Sequence, residues 1–63
     1  MKLVAYQIVE SDDMILVDIA NYTVERQDKD GNIMWRELFL DKRLTLDYVE
    51  QLITEGQIYG AVI

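Results

Sequence analysis

In Leu44-Thr45-Leu46-Asp47-Tyr48-Val49-Glu50-Gln51-Leu52-Ile53-Thr54-Glu55-Gly56 the apolar residues recur every three or four positions, whereas the chain before it runs in short segments of strand formers. One helix is therefore expected. Thr45 is the predicted N-cap, Leu44 and Val49 have the separation of a hydrophobic staple, and Gly56 is the predicted C-terminal cap. Leu46, Tyr48, Val49, Leu52 and Ile53 would form the inward stripe, leaving Asp47, Glu50, Gln51 and Thr54 on the outward side.

Working back toward the N-terminus, the segments that this helix must cover read as strands. Leu3 to Glu10 and Met14 to Ala20 are rich in strand formers, with Ser11-Asp12-Asp13 as turn residues between them. A two-residue turn at Asp12-Asp13 predicts Tyr6 opposite Ile19, Ile8 opposite Val17 and Gln7 opposite Asp18. Asn21 marks either a bend before a third strand, Tyr22 to Gln27, or a point inside one long strand. In Asp28-Lys29-Asp30-Gly31-Asn32, Gly31 falls where a three-residue hairpin loop wants a left-handed residue, so Ile33 to Leu40 is the return strand. That strand has large apolar groups on both faces. Asp41-Lys42-Arg43 reads as a solvated linker, and Gln57 to Ile63 as a last strand of undecided neighbour and direction.

The predicted fold class is α+β: a small twisted antiparallel sheet of four to five strands with one helix packed on it, in the approximate order β-β-β-β-α-β. At 63 residues the chain should be one compact domain.

Cysteine and histidine are absent, which removes disulfides, thiolate nucleophiles and the usual nitrogen and sulfur metal ligands. No catalytic, cofactor-binding or metal site is predicted, and an enzyme is not expected. The oxygen donors Asp28, Asp30 and Asn32 alternate as in a calcium loop, but Ile33 and Phe39 stand where an EF-hand needs glycine and a bidentate acid. A structural hairpin is the better reading. The N-terminus lacks a signal-peptide pattern, and no apolar run is long enough to span a bilayer, so a cytoplasmic protein without a membrane partner is expected.

Twelve acidic residues against six basic ones give a net charge of -6, which opposes direct binding to nucleic acid. The same charge suits a basic protein partner, including one whose cleft normally receives nucleic acid. The leading expectation is thus a small acidic protein-binding or inhibitory module, a nucleic-acid mimic of the size of a phage or bacterial regulatory protein. Its patch would be drawn from Glu10, Asp12, Asp13, Asp18, Asp28, Asp30, Asp47, Glu50 and Glu55, provided that the hairpin tips and the outer helix face converge. The alternative is an assembly module that acts through edge strands and aromatic residues, as a homodimer or within a larger complex. The partner-binding candidates are Trp35, Asp47, Glu50, Glu55 and Tyr59. Phe39 and Tyr48 are expected to be structural.

Overall fold

The computed structural model describes residues 3–62 in six elements: β1 (Leu3–Ile8), β2 (Met14–Asp18), β3 (Thr23–Gln27), β4 (Ile33–Leu38), α1 (Lys42–Thr54) and β5 (Ile58–Val62). The predicted α+β architecture and element order are present. All five strands belong to one antiparallel sheet in the order β4-β3-β2-β1-β5, so α1 carries the chain from one sheet edge to the other. The final strand lies antiparallel to β1. Of the tail assigned to it, Ile63 lies outside the described residues.

Alternation along the strands divides the sheet into a covered and a bare face. Tyr6, Ile15, Arg26 and Trp35 form one rung across β1 to β4, and Val4, Val17, Val24 and Glu37 form the next, both on the helix side. The core is built there from Ile15, Val17, Val24, Val49 and Ile58, with Tyr6, Ile8, Ile19, Phe39, Tyr48 and Leu52 packed against it. Phe39 and Tyr48 meet at a centroid distance of 5.3 Å, so both are structural as expected. On the other face Ala5, Leu16, Glu25 and Arg36 share a rung, and among the described residues no second layer covers them.

The first hairpin departs from its predicted register by four residues. Tyr6 pairs with Ile15, Val4 with Val17 and Leu3 with Asp18. Because the shift is even, every side chain keeps its predicted face. Local hydrogen bonds select the longer turn: the Gln7 side chain donates to the Ser11 and Asp13 carbonyls at 2.9 and 3.1 Å, and Ser11 Oγ accepts from the Asp13 N–H at 3.1 Å. Asp13 then points to the helix side, where Arg26 donates to it at 2.6 Å.

The open question at Asn21 resolves as a tight turn. Asp18 accepts from the Ala20 and Asn21 N–H groups, and Tyr22 adopts a left-handed φ of 58° before β3 begins. The next turn agrees with its sequence reading. Gly31 has φ 87°, its N–H donates to the Asp28 carbonyl, and the Asp28 N–H donates to Asn32.

At the helix the predicted N-cap is corrected. Asp41 is the cap, with its Oδ1 accepting from the Leu44 N–H at 2.9 Å, and Lys42 and Arg43 belong to the first turn rather than to a linker. Leu44 therefore lies inside the helix, and the predicted staple with Val49 has no place. Thr45 is instead fully buried, because its hydroxyl donates to the Asp41 carbonyl at 2.8 Å and so carries no unmet polar group inward. The inward stripe is centred on Thr45, Val49 and Leu52, which leaves Leu46 and Ile53 on an exposed flank instead of in the core. The C-terminus ends as predicted on Gly56, at φ 74°, with its N–H donating to Ile53 and that of Gln57 to Leu52.

Candidate functional site

The direction of each strand decides which charges meet. Neighbouring strands alternate in direction, so the β1–β2 and β3–β4 turns lie at the same end of the sheet. Helix α1 starts beyond the far end of β4 and must return to where β5 begins beside β1. Its C-terminus therefore reaches that same end, as the hydrogen bond from the Val9 N–H to the Gln57 carbonyl at 3.0 Å records.

This end carries Glu10 and Asp12 on the first turn, Asp28 and Asp30 on the third, and Glu55 after the helix. Glu10 and Glu55 share the rim of a hollow of about 340 Å³ that also includes Ser11, Gln57 and Arg26, whose charge is paired with Asp13. A second, shallower hollow of about 410 Å³ on the outward face of α1 is lined by Asp47, Glu50, Gln51, Thr54 and Glu55. Glu55 belongs to both, so an acidic band runs along the helix to Glu10 from Asp47, whose carboxylate lies 4.0 Å from the exposed Arg43 guanidinium. Its carboxylate accepts from Gln51 at 3.2 Å and from Gln57 at 2.8 Å, neutral donors that orient it without cancelling its charge.

The helix distributes its charges against its own dipole. Its first turn has Lys42 and Arg43 and no acid, and its last turn has no basic residue. Negative charge at the C-terminal end is disfavoured there by the macrodipole, at about 0.3–1 kcal/mol per exposed group. The Asp41 cap offsets part of this cost at the N-terminus.

Not all of the nine acids named from the sequence join the band. Asp13 is held by Arg26 through both Nε and the second guanidinium nitrogen, at 2.9 and 2.6 Å. Asp18 lies at the opposite end, where the Asn21 side chain above all, with the Ala20 and Asn21 N–H groups, holds its carboxyl below the ordinary range. The Asp28 carboxyl is likewise lowered, first by the Asn32 backbone N–H and then by its side chain. Since these N–H groups occupy both of its oxygens, Asp28 acts as the brace of its turn. Among the described residues, no three acidic, histidine or cysteine side chains are placed to hold a metal ion.

The two aromatic candidates are not brought together. Trp35 is on edge strand β4, on the helix side and 38% exposed, while Tyr59 is on edge strand β5, opposite Gln7 on the bare face and 58% exposed. They stand at opposite edges and on opposite faces. Glu10 and Glu55 were grouped from the sequence only on the condition that the tips and the helix converge; two features were missing from it, the Arg26–Asp13 pair and the exposure of apolar side chains on both faces of β4. Each depends on register or sheet order, which the local pattern does not encode.

The chain matches no protein-family model, no curated protein and no solved structure.

Proposed function

We propose that this chain is a small acidic protein-binding module, acting as an inhibitor, that presents one end and the adjoining helix face to a basic protein surface. The observation that carries the reading is the convergence of Asp47, Glu50, Glu55 and Glu10 on two adjoining hollows that share Glu55. The negative end of the helix dipole points the same way and adds to their potential. An acidic band on a chain of net charge -6 suits the basic cleft of a nucleic-acid-processing protein, where it would occupy the positions of backbone phosphates.

The test is affinity capture at low and high salt, with duplex DNA as competitor and the Asp47→Asn, Glu50→Gln, Glu55→Gln triple variant as control. The reading expects a basic partner that DNA displaces and high salt releases, and at least tenfold weaker capture by the variant at low salt. Capture that ignores both DNA and the three substitutions refutes it.

A further inference from the structure

Strand β4 is an edge with little to deter another strand. Ile33, Met34, Trp35 and Leu38 within it and Leu40 just beyond are 38–88% exposed, and the chain contains no proline. The hydrogen bond from the Phe39 N–H to the Tyr22 carbonyl at 2.8 Å sets the phase of the β3–β4 ladder. In that phase the backbone groups of Trp35 and Glu37 face β3, and those of Arg36 and Leu38 face outward, unpaired within the sheet. Edge strand β5 is less regular, because its register against β1 shifts between Ala5 and Gln7, in the middle of the pairing. The corresponding shift in β4 is confined to its Ile33 end.

The geometry points to a second copy of this chain as the occupant of that edge, antiparallel about a two-fold axis, with Trp35 of each copy opposite Trp35 of the other. Two considerations select it. The first is charge: the molecule carries -6, yet β4 itself holds one cation and one acid, Arg36 and Glu37, with Arg36 further paired to Glu25 at 2.8 Å, so the edge bears little of the net charge. Of the two registers that overlap most of Ile33–Leu38, the one centred on Arg36 crowds two Arg36–Glu25 ion pairs together and places no aromatic contact at the axis. The one centred on Trp35 sets indole on indole in the closer, non-hydrogen-bonded type of pair that favours aromatic contact, and Met34 opposite the partner's Arg36.

The second consideration is area. The exposed parts of Ile33, Met34, Trp35 and Leu38 present roughly 450 Å² per copy, and together with the Arg36 side chain two paired edges would hide on the order of 1,000 Å², where specific interfaces begin. This inference is independent of the acidic band, which lies on other residues. It also has the opposite salt response. Screening relieves repulsion between two acidic copies, so salt should strengthen pairing while it weakens capture of a basic partner.

Sedimentation equilibrium of the full chain, from micromolar to millimolar concentration and at two ionic strengths, tests the pairing. The mass should rise from 7.4 kDa toward twice that value, at lower concentration in high salt. Leu38→Lys places a charge on a side chain that is 72% exposed and should weaken dimerisation at least tenfold with an unchanged circular dichroism spectrum. Because the chain has no cysteine, single-cysteine variants report the register directly. Under oxidation Trp35→Cys should cross-link faster than Arg36→Cys or Tyr59→Cys, since Cα atoms in such a pair lie about 4.5 Å apart, within disulfide reach. A monomer at every concentration, a dimer indifferent to Leu38→Lys in the folded state, or faster cross-linking at position 36 or 59 overturns the proposal.

Discussion

Gly31 and Asp28 show how much one turn depends on two residues. Gly31 sits at φ 87°, and a Cβ added there would meet nothing within 4 Å, so any penalty for a side chain is conformational rather than steric crowding by neighbours. Gly31→Val should therefore lower unfolding free energy by about 1–2 kcal/mol, read from chemical denaturation. An unchanged unfolding curve would remove the left-handed assignment. Asp28 predicts a pH effect of definite sign. Its folded-state carboxyl lies below the ordinary value near 3.8, so the folded chain binds that proton less readily than the unfolded chain. The resulting stability is present at neutral pH and is lost as pH falls through the folded value. In Asp28→Ala the loss of stability on acidification should be shallower over that range, and NMR titration of the wild-type carboxyl should give a midpoint below that of a free aspartate. A midpoint at or above it contradicts the hydrogen-bonded brace. Gly31 was legible in the sequence because a hairpin loop makes a local demand that glycine answers, whereas Asp28, read there as an oxygen donor and a member of the acidic patch, shows its bracing role only through the hydrogen bonds of the folded turn.

The helix shows where such legibility stops. Its end was readable, since Gly56 supplies the left-handed residue of a C-terminal cap by itself. Its start was not, because Asp41 and Thr45 are both good caps by residue type and only packing separates them. The longer helix gains a turn, a carboxylate cap and a buried position for Thr45, whose hydroxyl is satisfied four residues back. Asp41→Ala should accordingly cost about 1 kcal/mol and reduce helicity at the N-terminal turn, measured by denaturation and by amide exchange of Leu44. Were Thr45 the cap, Asp41→Ala would be silent. The first hairpin makes the same point for strands. The period-two pattern settled the face of each side chain but was blind to an even shift of register, which Gln7 and Ser11 fixed through hydrogen bonds to the turn.

At the scale of the whole molecule, sheet order places the charges, and sheet order was the least readable property of the sequence. Asp47, Glu50 and Glu55 were identifiable as an outward helical set, but that Glu10 would join them follows from β5 lying beside β1. The same order separates Trp35 from Tyr59 by the width of the sheet, which a list of aromatics cannot show. In the proposed role the band would set stability against binding. Carboxylates near the helix C-terminus oppose the macrodipole, so replacing Glu50 and Glu55 with glutamine should raise stability, by about 0.3–1 kcal/mol at Glu55 and by less at Glu50, which precedes the last turn. If these groups serve a partner, the same two substitutions should weaken capture, most of all at low salt where the field reaches furthest. Opposite signs in the two measurements, thermal unfolding and partner capture, are the mark of charge retained for recognition at the expense of the fold. Should the double variant gain stability and lose no affinity, the acids are ordinary solvated surface and the proposed band is refuted.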